Sequence, residues 1–153
     1  QGLDLLGRKV SLAGGRFYQA LMDRIETSIG EARQHQRLAD SADRLERAVR
    51  AMAEATDAIN AEKAGGDKEK ALANATLYLD AFGQVVVGWL WLRQGIRALA
   101  GLSGDGEQTA DFYEGKLKAC DYFARYELPS VLHTAELLKA VDTTALNMAD
   151  EEF

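Results

Sequence analysis

The sequence is short of the residue types that build covalent staples and metal sites. Its 153 residues include one cysteine, one proline and two histidines. A single cysteine forms no internal disulfide, which excludes a disulfide-stapled secreted fold. One cysteine and two histidines also fall short of the usual four-ligand zinc site. This shortage of ligands predicts no metal. The first residues also lack the charged-then-apolar order of a signal peptide, so we expect a cytoplasmic protein.

The sequence also lacks an excess of basic residues and long apolar runs. The net charge is −6, which disfavours nucleic acid and anionic membranes as partners. The longest apolar block is "AFGQVVVGWLWL", residues 81–92, bounded by Asp80 and Arg93. A membrane-spanning helix needs about 20 apolar residues. The block therefore predicts a core helix and not a membrane span.

Helical periodicity is present over nearly the whole length. In the most regular stretch, side chains spaced three and four apart form a heptad-like seam, which is typical of helices packed at shallow angles. The seam consists of Leu38, Ala42, Leu45, Val49, Met52, Thr56 and Ile59. Gly65 and Gly66 predict its end, and Asp67 is a candidate cap for the next helix.

Three further segments carry helical spacing. In the first, Gly14 and Gly15 separate an apolar face of Leu3, Leu6 and Val10 from a stripe of Phe17, Leu21, Ile25 and Ile29. A turn is expected within residues 30–37. The next predicted helix, residues 68–102, has a stripe of Leu72, Ala75, Leu79, Phe82, Val86, Trp89, Arg93 and Ile96. In this helix, Gly83, Gly88 and Gly95 are expected to admit a neighbouring helix closely.

The last helix is expected to begin near Thr109 and to continue to about Ala140. Pro129 is expected to stop or kink it, because a residue before proline is pushed away from helical geometry, here Leu128. Short connections between long helices favour an up-down-up-down bundle. We predict one all-α domain, residues 1–153: a four-helix bundle with a short additional N-terminal helix.

The residues themselves indicate no active site. A carboxylate metal site in a bundle needs Glu-x-x-His, but Ala32 precedes His35 and Ser130 precedes His133 by three positions. Cys120 lies on an apolar helix face and is expected to be buried and inert. We therefore predict no catalytic residue and no metal ligand.

Aromatic and charged residues on the apolar stripes have mainly structural interpretations. Trp89 and Trp91 point about 200° apart on a helix, so one is expected in the core and the other against another helix, domain or subunit. Asp80, Arg93 and Lys116 lie on or beside apolar stripes and are expected to form buried or interface ion pairs.

Three stretches together resemble one family. "QGLDLLGRKV", residues 1–10, resembles the helix that follows the catalytic loop in one branch of the acyl-CoA dehydrogenases. "YLDAFGQVVVGWLWLRQ", residues 78–94, and "FYEGKLKACDYFARYELP", residues 112–129, are similar to the last helices of the extra C-terminal domain in that branch. The closing "EEF" is similar to its usual ending, whereas residues 31–66 resemble it least.

The resemblance implies the C-terminal helical domain of a longer FAD-dependent enzyme that oxidises an acyl-CoA thioester to the 2,3-enoyl-CoA. It places the glutamate base upstream of Gln1 and residues 1–13 at the end of the preceding domain's helix. The implied partners are the remaining dehydrogenase domains, an electron-transferring flavoprotein and further copies in a homo-oligomer. Gln1 is the one residue carried over as a cofactor contact, and no FAD is expected in this chain alone.

Two expectations follow for the chain as given. Its role is expected to be structural and not catalytic, bracing the neighbouring domain and subunit contacts. The face formed by Leu3, Leu6 and Val10 would pack on a missing domain, so residues 1–10 are expected to be frayed or docked on another copy. The alternative is a free-standing helical bundle whose groove binds a partner helix.

Overall fold

The computed structural model describes residues 1–152 and contains no strand among them. Four long helices share one apolar core, and the last of them is built from two α-helical stretches joined by a π-helical turn. This confirms the predicted all-α bundle with a short additional N-terminal helix. The helices are α1 (Gly2–Asp4), α2 (Arg16–Arg33), α3 (Ala39–Gly65), α4 (Lys68–Leu72), α5 (Ala75–Ala100), α6 (Ala110–Tyr122) and α7 (Leu128–Lys139).

Side-chain contacts fix the directions of the long helices. Arg37, before α3, pairs with Glu114 at the start of α6, and Glu54 further along α3 pairs with Lys139 at the end of α7. Helix α3 therefore runs parallel to α6–α7. Helix α5 runs antiparallel to them, since Gly88 lies against Leu128 and Gly95, two turns later, lies against the earlier Cys120. The directions alternate along the chain, and α3 and α5 pack directly against each other.

The heptad-like seam of α3 is confirmed residue by residue, because every one of its members is buried. The stripe predicted for α5 is correct at Ala75 and Trp89, which are buried, and elsewhere it lies about one position too late. Arg93 is exposed and Leu79, Phe82, Val86 and Ile96 are only partly buried. Helix α5 is apolar nearly all round between residues 82 and 92, so its periodicity could not fix which side faces inward. The buried face is Ala75, Tyr78, Ala81, Val85, Gly88, Trp89, Leu92, Gly95 and Ala98.

The N-terminal segment is docked on the bundle, contrary to expectation. Leu6 and Val10 are buried in the shared core, and only Leu3 remains exposed. Helix α1 continues into a π-helical turn, Leu5–Lys9. Lys63 Nζ donates hydrogen bonds to Leu6 O, Gly7 O and Ser11 Oγ at 3.1, 3.3 and 3.1 Å. One ammonium group thus satisfies carbonyls that the end of this short helix would otherwise leave unpaired.

The predicted breaks between helices lie close to where the sequence placed them. Asp67 caps α4 by accepting from Lys70 N at 2.9 Å, and Thr109 Oγ1 caps α6 by accepting from Phe112 N at 3.3 Å. One break was missed, because residues 73–74 interrupt the predicted helix of residues 68–102. Asn74 Nδ2 donates there to Asp142 O at 2.6 Å, which ties this bend to the segment after α7.

Pro129 does not end the last helix, and the prediction for Leu128 is wrong. Leu128 has helical φ and ψ of −59° and −30°. The preceding turn, Phe123–Glu127, is π-helical, and Leu128 N bonds to Phe123 O, five residues back. Pro129 then occupies the first turn of α7, where a missing N–H costs least. The inserted π turn lets the chain pass the proline without a break.

Two apolar features differ from the sequence expectation. Phe17 is 64% exposed, and Met22 takes a place on the buried face of α2 instead. Among the three glycines of α5, Gly88 and Gly95 lie close to side chains of α3 and the last helix. A Cβ on Gly83, by contrast, would meet nothing within 4 Å. Close approach therefore accounts for two of the three glycines.

Within the described residues, the segment Ala75–Gly104 is long and apolar enough to qualify as a membrane span by length and composition alone. Its mean hydropathy is 1.3 over the best window. Core helices of soluble proteins meet the same criterion, and one face of α5 is buried by α2, α3 and α6–α7. Its outer face exposes Leu77, Val87 and Leu90.

Candidate functional site

The two histidines and the cysteine, the candidates for reactive side chains, occupy positions that support no acid–base or nucleophilic chemistry. His35 and His133 are both exposed, on a turn and on α7, respectively. Cys120 is 2% exposed, which confirms its expected burial, and burial raises the pKa of its thiol to about 11. Such a thiol is almost entirely protonated near neutral pH and is a poor nucleophile.

The two tryptophans lie in the core and beside helix α6, respectively, as their angular separation predicted. Trp89 is buried, and its Nε1 donates to Ser28 Oγ of α2 at 2.8 Å. Trp91 is partly buried, and Lys116 Nζ lies 5.5 Å from its ring centre. The guanidinium of Arg93 lies 5.2 Å from the Trp89 ring. Arg93 and Lys116 thus contact aromatic rings, where ion pairs were expected.

A cleft lies on the outer side of α5, near the C-terminal end of that helix. Its volume is about 890 Å³. The floor is α5 from Leu90 to Ala100, one wall is Glu31 of α2, and the other is the beginning of α6. Phe112 and Leu90 are 46% and 43% exposed, so part of the lining is apolar and uncovered. We call this feature the α5 groove.

The α6 wall of the α5 groove is held in place by the glycine-rich loop. Tyr113 packs between Gly101 and Gly106, where added Cβ atoms would come within 2.4 Å and 2.1 Å of Tyr113 atoms. The Tyr113 hydroxyl also accepts a hydrogen bond from Gln108 N at 3.2 Å. Phe112 stacks edge-on against Tyr113 with ring centres 5.4 Å apart. The loop "GLSGDG" therefore positions two aromatic rings, a role beyond that of a simple turn.

Three cations line the α5 groove: Arg93, Arg97 and Lys116. Among the described side chains, none of them has a carboxylate within 4.0 Å. Lys116 Nζ lies between the Trp91 and Phe112 rings, 5.5 and 5.4 Å from their centres. Among the described residues of the lining, Glu31 is the only acidic one. This arrangement suits binding of a partner with both carboxylates and apolar groups, and it offers no general acid–base pair.

Sequence reasoning did not find the α5 groove. The available signal was the pair Arg93 and Arg97, four residues apart on a helix that is otherwise strongly apolar. Elsewhere, the described residues contain no group of three or more His, Cys, Asp or Glu side chains arranged to hold a metal ion. Gln1 is exposed, and its carbonyl accepts from Leu5 N at 2.9 Å. Its role as a cofactor contact stays a prediction.

Comparison with known proteins gives a consistent match. A family model described as "Acetyl-CoA dehydrogenase C-terminal like" matches residues 21–149. A butyryl-CoA dehydrogenase of Syntrophomonas wolfei is 29% identical over 99% of this chain and 25% of its own length. A 3-methylmercaptopropionyl-CoA dehydrogenase of Ruegeria pomeroyi is 33% identical over 94% of this chain and 24% of its own length. The chain thus spans about a quarter of these relatives.

Proposed function

Because this chain belongs to the family of acyl-CoA dehydrogenase C-terminal domains, we propose that it serves an FAD-dependent enzyme that oxidises an acyl-CoA thioester to the 2,3-enoyl-CoA. Its own role is structural: it braces the remaining dehydrogenase domains and contributes to subunit contacts in a homo-oligomer. The main support for this proposal is the extent of the sequence match. The two relatives described above match nearly the whole chain, and they are dehydrogenases about four times as long.

The described residues do not fit a complete flavin site. Buried side-chain oxygens and nitrogens already have hydrogen-bond partners, except Tyr18 Oη. Tyr18 belongs to an aromatic stack with Phe82 inside the bundle, with ring centres 6.1 Å apart, and does not line the α5 groove. The FAD, the glutamate base and the contact with an electron-transferring flavoprotein therefore belong, in this proposal, to the rest of a cytoplasmic parent enzyme.

The N-terminal segment forms the junction with the preceding domain in this proposal. The family match begins at residue 21, after the segment assigned by resemblance to the preceding domain. Yet Leu6 and Val10 are buried in the bundle core, and Lys63 binds the carbonyls of the same segment. We propose that residues 1–13 form a rigid junction, through which the position of the preceding domain is tied to the bundle.

The reading frame upstream of Gln1 provides the direct test. A Tyr-Glu-Gly-Thr-like motif shortly upstream is expected, and the full reading frame should yield a yellow protein that oxidises acyl-CoA with an artificial electron acceptor. The 153-residue chain alone should be colourless and inactive. A start codon immediately before Gln1, or stoichiometric flavin bound to this chain alone, would overturn the proposal. The first outcome would favour the free-standing interaction bundle.

A further inference from the structure

The α5 groove has the form of a site for one more helix. Its floor is a helix, and α2 and α6 flank that helix on either side. From Leu90 to Ala100 the floor is about 15 Å long at 1.5 Å per residue, enough for almost three turns of a second helix. Leu90 and Phe112 are each more than 40% exposed along it. Exposed apolar side chains rimmed by charge are typical of helix-binding grooves.

The charge of the groove restricts what can occupy it. The chain carries a net charge of −6, but the described residues that line the groove include three cations and one carboxylate. A second copy that docks through the same groove would bring these cations against their own equivalents, because a two-fold interface apposes identical patches. Like charges placed against each other across an interface disfavour association. Charge therefore argues against self-association here and favours an acidic partner.

We propose that the α5 groove binds an amphipathic helix that carries carboxylates beside its apolar stripe. Apolar side chains of that helix would cover Leu90 and Phe112, while its carboxylates would pair with Arg93, Arg97 and Lys116. Arg93 and Arg97 lie one turn apart on α5, so carboxylates about one turn apart on the partner would match them. The helix would come from the rest of the parent enzyme. This origin is the only part of the proposal that rests on the proposed function.

Two synthetic peptides test the proposal against the 153-residue chain. They share one apolar face with helical spacing, and their flanking positions carry Glu in the first and Lys in the second. Fluorescence anisotropy at low salt is expected to show the Glu peptide binding at least about tenfold more tightly, a difference of about 1.4 kcal/mol. Its affinity should fall as salt is added, because exposed charges are screened.

Charge-reversal variants of the chain test whether the cations of the groove determine the preference for the Glu peptide. The double variant Arg93→Glu/Arg97→Glu is expected to invert the preference, so that the Lys peptide binds more tightly. Because Arg93 contacts the Trp89 ring, the single variant Arg97→Glu serves if the double variant does not fold, and it should at least abolish the preference. Lys118→Glu is the matched control, since Lys118 is an exposed cation of α6 outside the groove lining. It should leave the preference for the Glu peptide intact.

Several outcomes would overturn the proposal. These are equal binding of both peptides, no saturable binding of either, or an equal effect of Lys118→Glu. A dimer that charge reversal of the groove abolishes would assign the surface to a second copy. Saturable binding of pyrophosphate without binding of the Glu peptide would assign the cations to a phosphate ligand. None of these results bears on whether the upstream reading frame encodes a flavoenzyme, so the two proposals fail separately.

Discussion

At the scale of single residues, burial decides the chemistry of side chains that look reactive in the sequence. Cys120 was expected to be inert from its apolar face alone, and the structure gives the cause, since desolvation opposes the thiolate. Leu6 and Val10 show the limit of the same reasoning. Their spacing correctly predicted an apolar face, but no local pattern indicates which partner covers it. That partner is the bundle core, through residues distant in sequence.

The raised pKa of Cys120 predicts a loss of stability at alkaline pH. The folded thiol keeps its proton up to about pH 11, whereas the unfolded thiol loses it near 9.0. Its stabilisation is thus complete below pH 9 and is lost as pH rises toward 11, by about 1 kcal/mol between pH 9 and 10. Urea unfolding from pH 8 to 10 should show a flatter profile for Cys120→Ala than for the parent chain. Parallel profiles would contradict this.

Lys63 should hold the N-terminal segment in place. Replacing it in Lys63→Met removes three hydrogen bonds to residues 6–11 and leaves two carbonyls without their donor. We expect a loss of about 1–3 kcal/mol in the free energy of unfolding. Amide hydrogen exchange should accelerate selectively in residues 5–12. The exposed Lys68 provides the control Lys68→Met, which should change neither quantity, and equal effects of the two variants would exclude the assigned role.

At the scale of helices, the buried face of a helix could be predicted only where its two faces differ clearly in polarity. Helix α3 alternates buried apolar and exposed charged side chains, so its seven seam positions were assigned correctly from spacing. Helix α5 lacks that contrast, and its stripe was misplaced at most positions. The π turn before Pro129 left no readable signal either, because an inserted residue changes hydrogen bonding without changing composition. The α5 groove was missed for a related reason, since it is created by the relative positions of three helices.

Two glycines, Gly83 within α5 and Gly101 directly after its end, provide a matched test of packing at this scale. Gly83→Ala should raise the free energy of unfolding by about 0.5–1 kcal/mol, because its Cβ meets open space and alanine favours the helix. Gly101→Ala should lower it by about 1–3 kcal/mol. Gly101 has helical φ and ψ, so the cost comes from a Cβ only 2.4 Å from the Tyr113 ring. Chemical denaturation measures both, and a gain for Gly101→Ala would show that the ring can move aside.

At the scale of the whole molecule, one apolar core links every long helix and the N-terminal segment. Within this core, α3 packs most extensively against α7. The two helices are far apart in sequence, and an ion pair between Glu54 and Lys139 joins them. The all-α class and the alternating helix directions were predictable from helix lengths and short connections. The packing of α3 against α7, two helices that run parallel, was not, because it depends on which faces fit together.

The shared core predicts a single cooperative unfolding transition. Calorimetry should give equal calorimetric and van't Hoff enthalpies, with a heat-capacity change of about 2 kcal/mol/K for a chain of this length. Far-UV circular dichroism and tryptophan fluorescence should follow the same curve. A separate early transition, absent after deletion of residues 1–13, would instead make the N-terminal segment an independent unit.

Both ends of the described chain lie at the same pole of the bundle. Leu3 and Leu146 line one shallow hollow beside α4, and Asn74 ties the same region to Asp142. A tensile load applied between the two ends would therefore act at one pole and peel the helices apart one after another, without shearing whole interfaces at once. In single-molecule stretching, the bundle should yield at low force and in sequence from its ends.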